Sequence, residues 1–265
     1  MTPDLLIVLD TLAADTRAAL MQGFLVFARV GAFFALLPAF GEQVVPARIR
    51  LIAAFGMTLI IAPAVLPDIA AQPATPGMVA RFLFIETAIG LAFGAGLRLM
   101  VQGLQIAGTM AAQATSLAQF FGGAGVDPQP AMSQVLVMAG LALLVMTGLP
   151  ARTAEFLILG YTLLPAGQWP DAGVMAEWGV GRVSHIFTLA FVLAAPFVIG
   201  ASIYNLALGA INRAMPQLMV AFIGAPALTL GGLLLFMLAA PLMLSVWHDA
   251  FLSLLADPAA RNGAR

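Results

Sequence analysis

The apolar positions of this chain come in long blocks, and the polar side chains that interrupt them carry most of the information. The first block runs from about Ala18 to Pro38 and holds Arg29. The second, Leu51 to Leu66, falls short of the roughly 20 residues that a clean membrane span needs. A third extends from Phe82 to about Ser116 and contains Glu86 and Arg98. Val135 to Leu149 is again short, and Pro150 separates it from a run ending near Leu164. Ile186 to Ile211 contains Pro196; Leu218 to Trp247 contains Pro226, Pro241 and Gly231-Gly232. The pattern predicts an all-α protein of short and broken apolar helices.

The third block changes character along its length. At roughly 100° per residue, Arg98, Gln102, Gln105, Thr109, Gln113 and Ser116 fall in one band about 80° wide. Leu99, Met100, Leu104, Ile106 and Met110 take the other faces. Amide and hydroxyl groups on a membrane helix need partners. Two readings fit: a helix–helix contact joined by glutamines, or a helix lining a water-filled lumen. The stripe runs into Phe120, Phe121, Gly122 and Gly123, a turn that the diglycine and the later Asp127-Pro128 keep out of helix. In the second reading this loop obstructs the lumen.

Composition settles the environment. Hydrophobic residues make up 62% of the chain and charged residues only 9%, with a mean hydropathy of +1.03. Soluble domains carry about 25% charged residues, so this is an integral membrane protein. No linker divides it, and residues 1–265 read as a single membrane-embedded domain. Residues 1–17 read as a short amphipathic lead-in rather than a signal peptide, because Asp4, Asp10 and Asp15 precede the first arginine. Residues 256–265 read as a loose polar tail.

Charge and candidate chemistry then narrow the function. Cysteine is absent, which excludes a thiolate metal site or a Cys nucleophile. Every basic residue is arginine, so a phosphate loop with its lysine is excluded as well. The near-neutral charge with no basic run argues against nucleic acid. His185 and His248 lie in different blocks and belong to no HExxH pair, and no GxSxG elbow occurs. Catalysis is therefore not expected, nor a cofactor or metal. Glu86, Gly90 and Gly94 share a helix face; close helix approach is the preferred reading, with a proton relay the alternative. Arg29, Glu86, Arg98 and Arg213 sit in or beside apolar blocks, where an unpaired charge is costly. These charges, with Arg48 and Arg50 around Pro46, are expected to find partners on other chains and to act as assembly contacts (Arg29, Arg48, Arg50, Glu86, Arg213).

Residues 209–226, GAINRAMPQLMVAFIGAP, together with Ala28 to Arg50, resemble the FliR family of flagellar biosynthesis, which includes the corresponding subunits of virulence type III secretion systems. The resemblance extends through Glu86, Gly90 and Gly94, the Gly108–Gln113 region before Asp127-Pro128, and Tyr161 to Gly167. It is carried by order and length, and by the run of Arg213, Pro216, Gln217, Phe222, Gly224 and Pro226. Met219 and Leu228 depart from the family's pattern, as does the region around Leu149-Pro150 and Gly160.

The resemblance implies a non-enzymatic subunit of an export gate in the bacterial inner membrane, at the flagellar basal body. It implies helical hairpins packed with FliP-like and FliQ-like subunits, and an FlhB-like switch subunit beside them, around a pore for unfolded exported proteins. It also implies that the loop at Gln113 to Asp127, with Phe120, Phe121, Gly122 and Gly123, helps close that pore. The alternative from a different class is a self-contained small-molecule transporter built around broken helices at the midplane.

Overall fold

The computed structural model describes residues 3–42, 45–65, 75–115, 131–215 and 220–258. Among them are seven helices and no strand: α1 (Pro3–Leu36), α2 (Ala47–Val65), α3 (Pro76–Thr115), α4 (Ala131–Met146), α5 (Leu149–Leu163), α6 (Ala172–Ala214) and α7 (Val220–Ala256). Five are long and apolar enough to cross a membrane, and α4 with α5 make a sixth, broken candidate. At roughly 1.5 Å per residue, the 40 residues of α3 and the 43 of α6 each extend about 60 Å, twice the roughly 30 Å of a bilayer's hydrocarbon core.

Several boundaries differ from those the apolar blocks predict. The lead-in is continuous with the first span, because neither glycine nor proline occurs between Asp4 and Gln22 to stop the helix. The break before α5 falls at Gly148, which has φ 84°, rather than at Pro150. Pro150 instead occupies the first turn of α5, where its missing N–H costs nothing. Pro196, Pro226 and Pro241 all lie inside continuous helices. α6 begins at Ala172, well before the apolar block that starts at Ile186. Asp171 Oδ1 accepts the Val174 N–H at 2.9 Å and so caps that start.

The chain divides into two compact units. The first comprises Met1–Arg98, Gly148–Gly179 and Leu254–Arg265; the second comprises Leu99–Thr147 and Val180–Ser253. Lipid is as apolar as leucine, so close packing rather than hydrophobic burial holds such helices together. In the first unit Phe33 stacks on Phe156 with centroids 5.8 Å apart, and Phe93 meets Phe156 edge-on at 5.2 Å. α2 lies along α1 and also touches α5. Arg50 donates from Nε to Phe40 O (3.2 Å) and from Nη2 to Glu42 O (3.1 Å), which ties down the connection after α1.

The second unit has a core of Met100, Leu104, Ala107 and Ala111 from α3, Leu136 and Leu144 from α4, and Leu193 and Phe197 from α6. From α7 it takes Met243, Trp247 and Phe251. Glycines let backbones approach here too. A Cβ at Gly103 would lie 2.8 Å from Ile186 Cγ2, and one at Gly140 would lie 3.0 Å from the Trp247 ring.

Candidate functional site: a buried ion pair and a polar helix face

Within the first unit, α1 and α3 approach each other closely at the two glycines of the E-x3-G-x3-G pattern. A Cβ at Gly94 would lie 2.8 Å from Phe33 O, and one at Gly90 would collide with the Arg29 carbonyl. This approach brings Arg29 and Glu86 together, both with no exposed surface. Arg29 Nε donates to Glu86 Oε2 at 2.7 Å and Nη2 to Oε1 at 3.2 Å, the bidentate geometry that planar guanidinium favours. The carboxylate also accepts from the Gly167 N–H (2.9 Å) and from Tyr161 Oη (3.4 Å). Arg29 donates further to Leu164 O (3.0 Å) and Gly160 O (3.4 Å), the carbonyls at the C-terminal end of α5, and its guanidinium lies 3.7 Å from the Tyr161 ring centroid. No buried side-chain N or O atom among the described residues lacks a partner.

This arrangement corrects one expectation. Arg29 and Glu86 meet each other inside one chain, 57 residues apart in sequence, and do not reach for another subunit. The physical reason was visible in outline: an isolated cation and an isolated anion in neighbouring apolar blocks are costly apart and neutral together. Arg50 likewise uses its donors on carbonyls of its own chain. Arg48, at the start of α2, and Arg213, in the last turn of α6, are exposed. Tyr161 and Gly167 were legible only as part of a resembling segment; their roles as hydrogen-bond donors to Glu86, and of the Tyr161 ring as the surface against the Arg29 guanidinium, were not. Gly167 has φ 70°, and any Cβ there would run into the Phe82 ring.

The polar stripe begins at the boundary between the units. Arg98, half-buried, closes the first unit; Gln102, Gln105, Thr109 and Gln113 belong to the second. Gln102 and Gln113 are exposed, and Gln105 and Thr109 are half-buried. The packed face of this half of α3 is made by Gly103, Leu104, Ala107, Gly108, Ala111 and Thr115, all buried. On a helix, that face is centred roughly 180° from the stripe. Three contacts to neighbouring helices are made by its backbone. Trp247 Nε1 donates to Met100 O at 2.8 Å, Ser133 Oγ to Gln105 O at 2.9 Å and Thr229 Oγ1 to Thr115 O at 3.4 Å. These three bonds are made to backbone carbonyls and use no stripe side chain. Ser116 and the loop residues Phe120, Phe121, Gly122 and Gly123 lie outside the described residues.

The remaining candidates are ordinary. His248 Nε2 lies 3.0 Å from Thr147 Oγ1, a hydrogen bond between α7 and the turn after α4 within the second unit. Among the described residues no group of three His, Cys, Asp or Glu side chains could hold a metal. Trp178 donates to Pro258 O at 2.9 Å, while Trp169 is exposed and stacks on Phe84.

A helical membrane protein with a neutralised charge pair in one unit and a polar helix face in the other is the class these features define. Residues 20–254 match the family described as bacterial export proteins, family 1, and the chain belongs to that family. It is similar to the flagellar biosynthetic protein FliR of Caulobacter vibrioides, with 34% identity over 233 residues covering 87% of this chain and 93% of that protein. The FliR of Aquifex aeolicus is 30% identical, covering 84% and 86% of the two chains, and that of Escherichia coli 29%, covering 86% and 89%. The resemblance read from Ala28–Arg50 and residues 209–226 is thereby confirmed. No observation favours the small-molecule transporter.

Proposed function

We propose that this chain is the FliR-type subunit of a flagellar protein export gate in the bacterial inner membrane, at the basal body. It acts with FliP-like and FliQ-like subunits, and an FlhB-like switch subunit, to pass unfolded proteins. The observation that carries the reading is the second half of α3. Its backbone and small residues are used for packing, while Gln102, Gln105, Thr109 and Gln113 are turned to the other side. Side-chain amides at such a face replace lost water contacts for a polypeptide moving past without binding it strongly. The loop Phe120-Phe121-Gly122-Gly123 then closes the lumen, with aromatic rings as the seal and glycines as the bend. Exposed Arg48 and Arg213 serve as assembly contacts. The chain itself is not an enzyme and needs no cofactor, and the energy for export enters through partner proteins.

Deleting Phe120 to Gly123 tests the loop's role. The expected result is a membrane leaky to small ions with the assembled complex still recoverable in mild detergent. An intact permeability barrier around an assembled deletion variant would remove the loop from the gating role. Affinity isolation of the tagged chain tests the assembly: FliP-like and FliQ-like chains in fixed proportion are expected, and a particle containing this chain alone would count against the proposal.

A further inference from the structure

We infer that Trp247 and Ser133 are positioning residues that set the rotation of α3 about its own axis. A helix carbonyl bonded within its own helix keeps a second lone pair, so it can accept a side-chain donor from a neighbour without breaking the helix. Both residues use that capacity. Trp247 on α7 is fully buried, and its only donor, the indole N–H, points at Met100 O. Ser133, in the first turn of α4, is also buried and donates to Gln105 O, where it shares the carbonyl with the Thr109 hydroxyl, also at 2.9 Å.

Each donor is flanked by a glycine that makes room for it. A Cβ at Gly140 would come within 3.0 Å of the Trp247 ring, and one at Gly108 within 2.5 Å of Ser133 Cα. A membrane helix packed only through apolar side chains can turn to another set of ridges at modest cost, since lipid and leucine are equivalent surroundings. Two hydrogen bonds to carbonyls five residues apart, from two different helices, remove that freedom. Met100 and Gln105 offer only their backbones to these bonds, so neither bond depends on the identity of a stripe side chain. The functional consequence, that the stripe faces the path of an exported protein, rests on the reading under Proposed function. The rotational setting itself does not.

The absence of cysteine permits a direct test. A Cβ at Gly103 lies 3.8 Å from Ile186 Cβ, the usual separation in a disulfide. The pair Gly103→Cys with Ile186→Cys, in the full chain assembled in native membranes, is expected to oxidise readily. Adding Trp247→Phe, which keeps the ring bulk and deletes the N–H, together with Ser133→Ala, is expected to lower the cross-linked fraction at least threefold at matched protein level. Equal cross-linking in both backgrounds would overturn the inference. Each single substitution is read in the same way. Loss of the chain from the membrane in both singles would also overturn it, by making these residues pillars of the fold. In parallel, a membrane-impermeant maleimide is applied to Gln102→Cys in the unaltered background. Failure to label it during active export would count against the lumen reading while leaving the cross-link to decide the rotational one.

Discussion

Glu86 accepts four hydrogen bonds, two from Arg29 and one each from Tyr161 and the Gly167 backbone, and has no exposed surface. Such a pair contributes little relative to an apolar core of the same shape, yet removing one partner strands a buried charge at about 3–5 kcal/mol. Arg29→Leu and Glu86→Leu should therefore each lower the melting temperature of the detergent-purified protein sharply. The double substitution should cost less than the sum of the two by roughly 2 kcal/mol, because only the Leu164 carbonyl, the Tyr161 hydroxyl and the Gly167 N–H lose a partner, while Gly160 O keeps the Leu164 N–H. Additive losses would show that the two side chains are not coupled. Gly167→Ala should cost at least about 1–2 kcal/mol, since φ 70° disfavours any Cβ and the Phe82 ring must also move; melting of that variant at the parent temperature would contradict the turn geometry. At this scale the sequence allowed a partial reading. Arg29 and Glu86 stood out as charges in apolar surroundings, but their mutual partnership depends on Gly90 and Gly94 drawing α1 onto α3. Nothing local to Trp247 pointed to Met100, 147 residues away.

Among the elements, α3 was the most legible, because its polar positions recur at helical spacing and its glycines recur on another face. The least legible boundaries were those marked by proline. Pro196, Pro226 and Pro241 read as breaks but lie within helices, which membrane proteins tolerate when neighbours satisfy the freed carbonyls. The true break lies at Gly148, where a left-handed residue ends one helix and Pro150 opens the next. Open space surrounds the Gly148 Cβ position, so the requirement there is conformational rather than steric. Gly148→Asn, which tolerates the left-handed region, should stay near the parent stability, whereas Gly148→Val should lose about 1–2 kcal/mol. Equal melting of the two variants would contradict a backbone requirement at this position.

For the molecule as a whole, two kinds of surface need accounting for. Large apolar side chains are exposed on α2 (Ile52, Phe55, Ile60), on α6 (Phe187, Phe191, Ile203) and on α7 (Leu230, Met237, Leu242), a surface suited to lipid tails or to other membrane subunits. The face of α3 that carries Gln102 and Gln113 suits neither lipid nor an apolar neighbour, and the export role assigned to the chain depends on what that face meets. Site-directed cross-linking to a stalled export substrate answers this most directly, from single cysteines at Gln102→Cys and Gln113→Cys in the cysteine-free chain, with Phe191→Cys and Leu242→Cys as apolar controls. Substrate adducts from both stripe positions and none from the controls are the predicted result. Absence of adducts from the stripe, or equal yields from Phe191→Cys and Leu242→Cys, would contradict a polypeptide path along α3.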